Sequence, residues 1–314
     1  MSVQLKQRAS PAMVILAFAT VYLVWGSTYF FIQRAVQEIP PFIMGAMRFI
    51  LSGMIMMGWC IYKGERIWEK EQVKVAARAG LILLFIGNGA VIWAEKTLPS
   101  SLVAVLASAT PIWFVILDRP KWKENLTSQS TLIGLFIGFI GVILLFSEQV
   151  SGVLKGSGHG LQIISLLVIT LGSISWAGGS LYTKYYSKGS ATVSSAWQML
   201  AAGLAFVPVS LMAREWPGFH TQTISTGAWL SVLYLVFMGS LAGYSAYIWL
   251  LQVRPATQVS TNAYVNPVVA VLLGTLFAGE HMSGLQLLGL AVILTSVLLI
   301  NLAKYRTVQT GQNK

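Results

Sequence analysis

Few side chains in this 314-residue chain could do covalent chemistry, and none of them are arranged to do it. Ten carboxylates, three histidines and one cysteine form no HExxH, no GxSxG and no paired acid and base inside an apolar run, so a membrane hydrolase or transferase lacks its reacting groups. His159, His220 and His281 fall in connecting segments without close spacing or thiols, which predicts neither a metal site nor a cofactor. Gly156-Ser157-Gly158-His159-Gly160 resembles a phosphate loop only superficially. It has no preceding strand and reads as a linker.

What remains is a set of amides and hydroxyls embedded in apolar sequence. Ser108 and Thr110 stand beside Pro111, while Asn262 and Asn266 stand beside Pro267. A proline inside a helix removes one N–H and disturbs the carbonyl a turn earlier. Matched broken helices near a bilayer midplane point to the binding site of a carrier. Asn262 and Asn266 are four apart and share a helix face. The competing reading is helix packing, in which such polar bonds contribute only about 0.6 kcal/mol each. For Asn88, packing and substrate contact are equally good readings. Trp25, Tyr29, Trp176 and Tyr244 could wall a pocket for uncharged, zwitterionic or aromatic solutes. Tyr264 is a further aromatic candidate, whereas Trp93 and Trp249 fit an interfacial belt better.

Arg48 is the one basic residue well inside an apolar run, about seven residues or roughly 10 Å from its outer end. An intramembrane charge is a functional candidate by default, but a side chain that reaches outward or bonds carbonyls is the preferred expectation here. Glu95, Glu148 and Glu280 all stand at outer ends of apolar runs. Proton coupling through a buried acid is therefore not expected, which leaves facilitated diffusion, or coupling through Glu280 and His281.

The elements that must position these groups are membrane helices. Residues are 55% apolar and 10% charged, with mean hydropathy +0.70, where a soluble domain carries about a quarter charged residues. Apolar runs of about 20 residues, the length of a crossing, cover 11 to 33, 41 to 62, 76 to 94, 98 to 118, 131 to 147, 161 to 184, 192 to 212, 227 to 251, 255 to 277 and 283 to 303. The first run contains Ala17-Phe18-Ala19 but continues to Ile32, longer than a cleaved leader. Cys60 stands alone and predicts no disulfide. Of 21 basic residues, 16 fall in segments on the side of the N-terminus, four on the other side, and Arg48 lies within a span. The positive-inside rule then places both termini in the cytoplasm. It also explains the net charge of +11 without nucleic acid.

A shift of 156 residues exposes an internal repeat, with ten identities in 31 positions between Gly87 and Leu117. Pro99/Pro255, Pro111/Pro267 and Trp93/Trp249 share this register. A shift of 151 pairs Trp25 with Trp176. Five helices make an odd number of crossings, so the second copy enters from the opposite face. The expected fold is an all-α integral membrane protein of ten helices in two inverted repeats. Its parts are a first repeat over 1–147, an external linker over 148–160, a second repeat over 161–303 and a cytoplasmic tail over 304–314. Inverted repeats give a carrier inward- and outward-open states of similar energy. A channel is the alternative. Gly134, Gly138 and Gly141 permit close helix approach within one monomer or across a homodimer.

The sequence also resembles the ten-helix EamA branch of the drug/metabolite transporter superfamily. "VWGSTYFF" in the first run, "RFILSGMIMM" from Arg48, and the Asn-Pro, Gly-Glu and Gln-Leu-Leu-Gly elements between Asn262 and Ile300 carry the likeness. "SATPIWFVILDRPKWKEN" departs from it, placing Asp118, Arg119 and Pro120 where the helix usually continues. The resemblance implies a multi-pass inner-membrane protein that moves a small metabolite or amino acid, often outward.

Overall fold

The computed structural model describes residues 10–98, 100–145, 147, 159–278 and 283–310. Residues 148–158 of the expected linker over 148–160, with Glu148, Lys155 and Gly156–Gly158, lie outside the described residues, as do Lys6, Arg8, Pro99, Glu280, His281 and the last four residues. All regular structure among the described residues is helical. In chain order the long elements are α1 (Pro11–Val36), α2 (Pro41–Tyr62), α3 (Lys70–Ala94), α4 (Ser100–Ala107 and Thr110–Leu117) and α5 (Gln129–Leu145). They are followed by α6 (His159–Tyr186), α7 (Ala191–Met212), α8 (Thr226–Val253), α9 (Ala256–Val259 and Asn262–Ala278) and α10 (Gly284–Thr310). Among the described residues α1, α2, α3, α7 and α8 are long and apolar enough to cross a bilayer. The short helix over Trp122–Thr127 meets α5 at 88°.

The outward faces are apolar, with Leu23, Phe30, Met54, Phe136, Leu204 and Phe237 all exposed. Such a surface needs lipid rather than water around it. The inward faces build one large core, a second smaller one in which Val115, Leu135, Val142 and Leu145 meet Tyr264, Val268, Ile293 and Ile300, and a third of Ala94, Leu98, Val103 and Ile169. Packing follows an exchange rule. α2 packs on α7 and α5 on α10. α1 packs on α8 and α9, whereas α6 packs on α3 and α4. Exchanging each helix with the one five places along leaves this set of pairs unchanged.

Close approach between helices explains the glycines of α5. A Cβ at Gly141 would come 2.9 Å from the Ile293 backbone nitrogen, and one at Gly134 would come 2.6 Å from Ile300 Cγ1. Gly138 faces Ser296 and Tyr264. All three glycines serve packing inside one chain. α10 continues through Lys304 and Arg306 to Thr310, beyond the expected end at 303, because no glycine or proline occurs between Asn301 and Thr310.

Three features depart from plain α-helices. α3 contains a π-helical stretch over Leu81–Asn88 and α8 another over Leu235–Tyr244. Their ends, Asn88 and Tyr244, coincide in the 156-residue register. Pro111 is the second residue of the later α4 piece, where its missing N–H costs nothing. Pro267 lies inside the longer piece of α9, and the break there comes a full turn and more earlier, at Ser260 and Thr261. The two prolines match in sequence, but the breaks do not.

Candidate functional site

α3 and α8 owe their shape at the centre to carbonyls released from the regular ladder. Within the α8 π stretch, Gly239 O accepts the Trp25 indole N–H at 3.0 Å and Val236 O accepts Ser52 Oγ at 3.4 Å. Within the α3 stretch, Ile82 O accepts the Ser175 hydroxyl. π-helical turns concentrate at functional sites because they free such groups. At the α4 break, Thr110 Oγ1 donates to Ala107 O at 2.6 Å. That is the carbonyl one turn before Pro111 which the proline cannot satisfy. In α9, Ser260 and Thr261 hydroxyls perform the same task for Thr257 O and Gln258 O.

These helices enclose a central cavity with about 800 Å³ not filled by atoms, of which the centre of a water molecule can occupy about 80 Å³. Its walls come from α1, α2, α3, α4, α6, α8 and α9. Trp25, Tyr29, Arg48, Asn88, Thr110, Trp176, Tyr244, Asn262 and Asn266 all line it. Ser108, Pro111 and Pro267 are buried but stand behind the wall. Tyr264 is likewise remote, donating its hydroxyl to Leu135 O at 2.9 Å in the smaller core. Trp93 and Trp249 are half-buried against neighbouring helices.

Trp25 and Trp176, matched by the repeat, meet edge to face with ring centroids 5.3 Å apart. The Trp176 indole donates to the Tyr247 hydroxyl at 3.1 Å, which also bonds Ser180. Tyr244 donates to Gln198 Oε1, and Gln198 Nε2 donates to Ser194 Oγ at 2.9 Å. These rings form a rigid apolar wall.

Arg48 corrects the first of two expectations. It neither reaches outward nor rests on main-chain carbonyls. At 4% exposure its Nε donates to Ser240 Oγ at 3.0 Å and Nη1 to Asn88 Oδ1 at 3.3 Å. α8 supplies the partner that an isolated α2 could not. Glu95 corrects the second. It stands at the end of α3, yet it is only 2% exposed and both carboxylate oxygens are buried. Asn88, Val91 and Glu95 share one helix face. The turn after α3, with Leu98 N bonded to Ala94 O at 2.8 Å, folds the chain over that face. That spacing was a signal in the sequence which distance from the helix end obscured. Ser240, Gln198 and Tyr247 were also missed, as hydroxyls and amides with no distinguishing spacing.

Asn266 is 3% exposed, and its side chain reaches the Tyr29 hydroxyl. Its Oδ1 is buried without a hydrogen-bond partner among the described residues. Asn266 also lines the cavity, so an acceptor with no protein donor lies beside the chamber.

The EamA-like transporter family matches residues 12–147 and 163–302. The chain belongs to that family. It is 36% identical over 291 residues to the uncharacterized inner membrane transporter YedA of Escherichia coli K12, covering 92% of this chain and 90% of that one. It is 26% identical over 300 residues to a probable amino-acid metabolite efflux pump of Salmonella typhimurium, covering 93% and 95%. Protein PecM of Dickeya dadantii is 25% identical, covering 88% of both chains. A solved structure with 17% identity shares the fold at a TM-score of 0.76, covering 95% of this chain and 99% of the other. The chain is a membrane transport protein, and the family argues for transport rather than catalysis.

Proposed function

We propose that this inner-membrane carrier moves a small carboxylate-bearing metabolite, such as an amino acid, outward through the central cavity by alternating access. The observation that carries the reading is the convergence of polar groups from both ends of the sequence on one narrow apolar chamber. Arg48, Asn88 and Thr110 from the first half of the chain line it together with Ser240, Tyr244, Asn262 and Asn266 from the second. The guanidinium supplies a positive charge for a carboxylate, Asn266 Oδ1 accepts from a donor, and the Trp25–Trp176 wall covers an apolar side chain.

Ten spans in two inverted halves, with both termini cytoplasmic, complete the proposal. The exchange rule in helix packing and the matched π-helical stretches support it. So do the aromatic and basic residues at one end, where Lys63 Nζ lies 4.9 Å from the Trp59 ring centroid and Tyr62 is exposed. The reading is tested by comparing metabolites retained by cells with and without the protein, followed by flux of the retained compounds in proteoliposomes. Saturable flux is expected of a carrier. Flux that rises without saturation over the same range would mean a channel, and no metabolite difference would remove the outward direction.

A further inference from the structure

A carboxylate buried in a membrane protein must have its charge balanced or must lose it. Glu95 has neither an ion pair within 4.0 Å nor a hydrogen bond of good geometry to either oxygen among the described residues. Two turns earlier on the same face of α3, Asn88 holds the Arg48 guanidinium of α2, the positive charge that acts on Glu95, and the Tyr29 hydroxyl of α1 is the other titratable group near it. The Gln33 main chain also approaches it. Its chain neighbour Ala94 belongs to a small apolar core with Leu98, Val103 and Ile169. Glu95 is not among the residues that line the cavity, which leaves a proton rather than a substrate ammonium as its balancing charge.

We propose that Glu95 is a proton-binding site of the carrier, linked through the Arg48 charge to occupation of the cavity by an anionic group. The inference rests on the carboxylate-binding reading of Arg48, but its first test does not. When Glu95 is ionised, its charge and that of Arg48 cancel and the centre is neutral. When a solute carboxylate occupies the cavity beside Arg48, two negative groups compete for one guanidinium, and protonating Glu95 restores neutrality. Linkage then runs both ways: the anion raises the proton affinity of Glu95, and the proton raises anion affinity. The balance is one proton bound per carboxylate group bound. The proton comes from the water on the side to which the cavity is open and leaves with the solute on the other. Without this site, an Arg48-bound carboxylate would leave Glu95 as an uncompensated buried charge.

The first test uses purified protein without solute. Infrared spectra collected across a pH titration should show a carboxylic C=O band that grows on acidification in the wild type and is missing from Glu95→Gln. In Arg48→Gln the midpoint of that band should rise by about one pH unit or more, the effect of removing a nearby opposite charge, while Arg48→Lys should leave it near the wild-type value. Absence of the Glu95 band at every pH, or a midpoint indifferent to Arg48, overturns the proposal.

The second test uses proteoliposomes with a mixture of labelled L-amino acids as the probe. Apparent affinity in the wild type should increase as pH falls, by up to tenfold per unit. Glu95→Gln should transport with an affinity independent of pH, and Glu95→Asp should restore the dependence. A Glu95→Gln protein that keeps the wild-type pH dependence overturns the proposal. Complete lack of flux with an intact infrared titration instead refutes the amino-acid reading of the cavity, and the proton site stands.

Discussion

Asn266 separates binding from packing, because the two roles predict opposite signs for stability. The perturbation is Asn266→Leu, which keeps the branching of the side chain at a larger volume, taken up by the adjoining cavity, and removes both its polar atoms. In the empty carrier Oδ1 is buried and unsatisfied, a condition that costs about 1 to 3 kcal/mol. Removing it relieves that cost and forfeits the amide contact with the Tyr29 hydroxyl, worth about 0.5 to 1.5 kcal/mol. The melting temperature should therefore hold or rise. Substrate binding behaves differently, because the solute loses an acceptor it reaches only in the complex. The loss is again about 1 to 3 kcal/mol, which weakens affinity by roughly 5- to 150-fold at 1.4 kcal/mol per decade. The assay is substrate affinity and thermal unfolding measured on the same purified preparation. A lower melting temperature with unchanged affinity would refute the reasoning and make Asn266 a packing residue. Thr110→Ala supplies the contrast, since its hydroxyl is committed to Ala107 O: stability should fall by about 0.5 to 1.5 kcal/mol, and Thr110→Ser should recover it.

Three further outcomes are expected. Reporters fused after Lys63, Lys121, Lys188 and Lys304 should read cytoplasmic and one after Arg214 external. A single external reading in the first group breaks the ten-span arrangement. Arg48→Ala should lower protein abundance, because it strands Ser240, Asn88 and a buried Glu95, and adding Glu95→Gln should recover part of the loss; no recovery in the double variant would show that Glu95 does not feel Arg48. Glu38, exposed, accepts from Ser225 N and Oγ, both at 2.6 Å, and these bonds hold its carboxyl below the ordinary range. A depressed value stabilises above the unfolded value and is lost as pH falls through the folded one. Glu38→Gln should therefore flatten the acid limb of melting temperature against pH, and an unchanged limb would show that the α8 cap does not depend on this carboxylate.

Much of the architecture was written in one dimension. Length and spacing of apolar runs located the helices, since a bilayer demands both an apolar surface and internal satisfaction of every backbone group. The Pro111/Pro267 and Trp25/Trp176 matches singled out helices that do reach the cavity wall. Spacing of three and four likewise placed Asn262 and Asn266 on one face, and both line the chamber. Local chemistry is visible in this way whenever the partner is within a turn, as in Thr110 and the carbonyl freed before Pro111.

Tertiary structure decided everything that depends on a distant partner. Pro111 and Ser108 adjoin Thr110 in sequence yet stand behind the cavity wall, because a helix turns 100° per residue and which face meets another helix is set by packing. The π-helical stretches in α3 and α8 have no residue signature in their apolar runs. They persist because Trp25, Ser52 and Ser175 from other helices take up the carbonyls they release. Arg48 could have reached outward from a single helix, and only the approach of Ser240 across 192 residues turned it inward. Glu95 stood at a helix end where water was expected, and the packing of α1 and α6 over that end removed it from solvent. Sequence determines what a residue can do with its near neighbours; burial and charge balance are properties of the assembled chain, and here they govern the two ionisable groups at the centre.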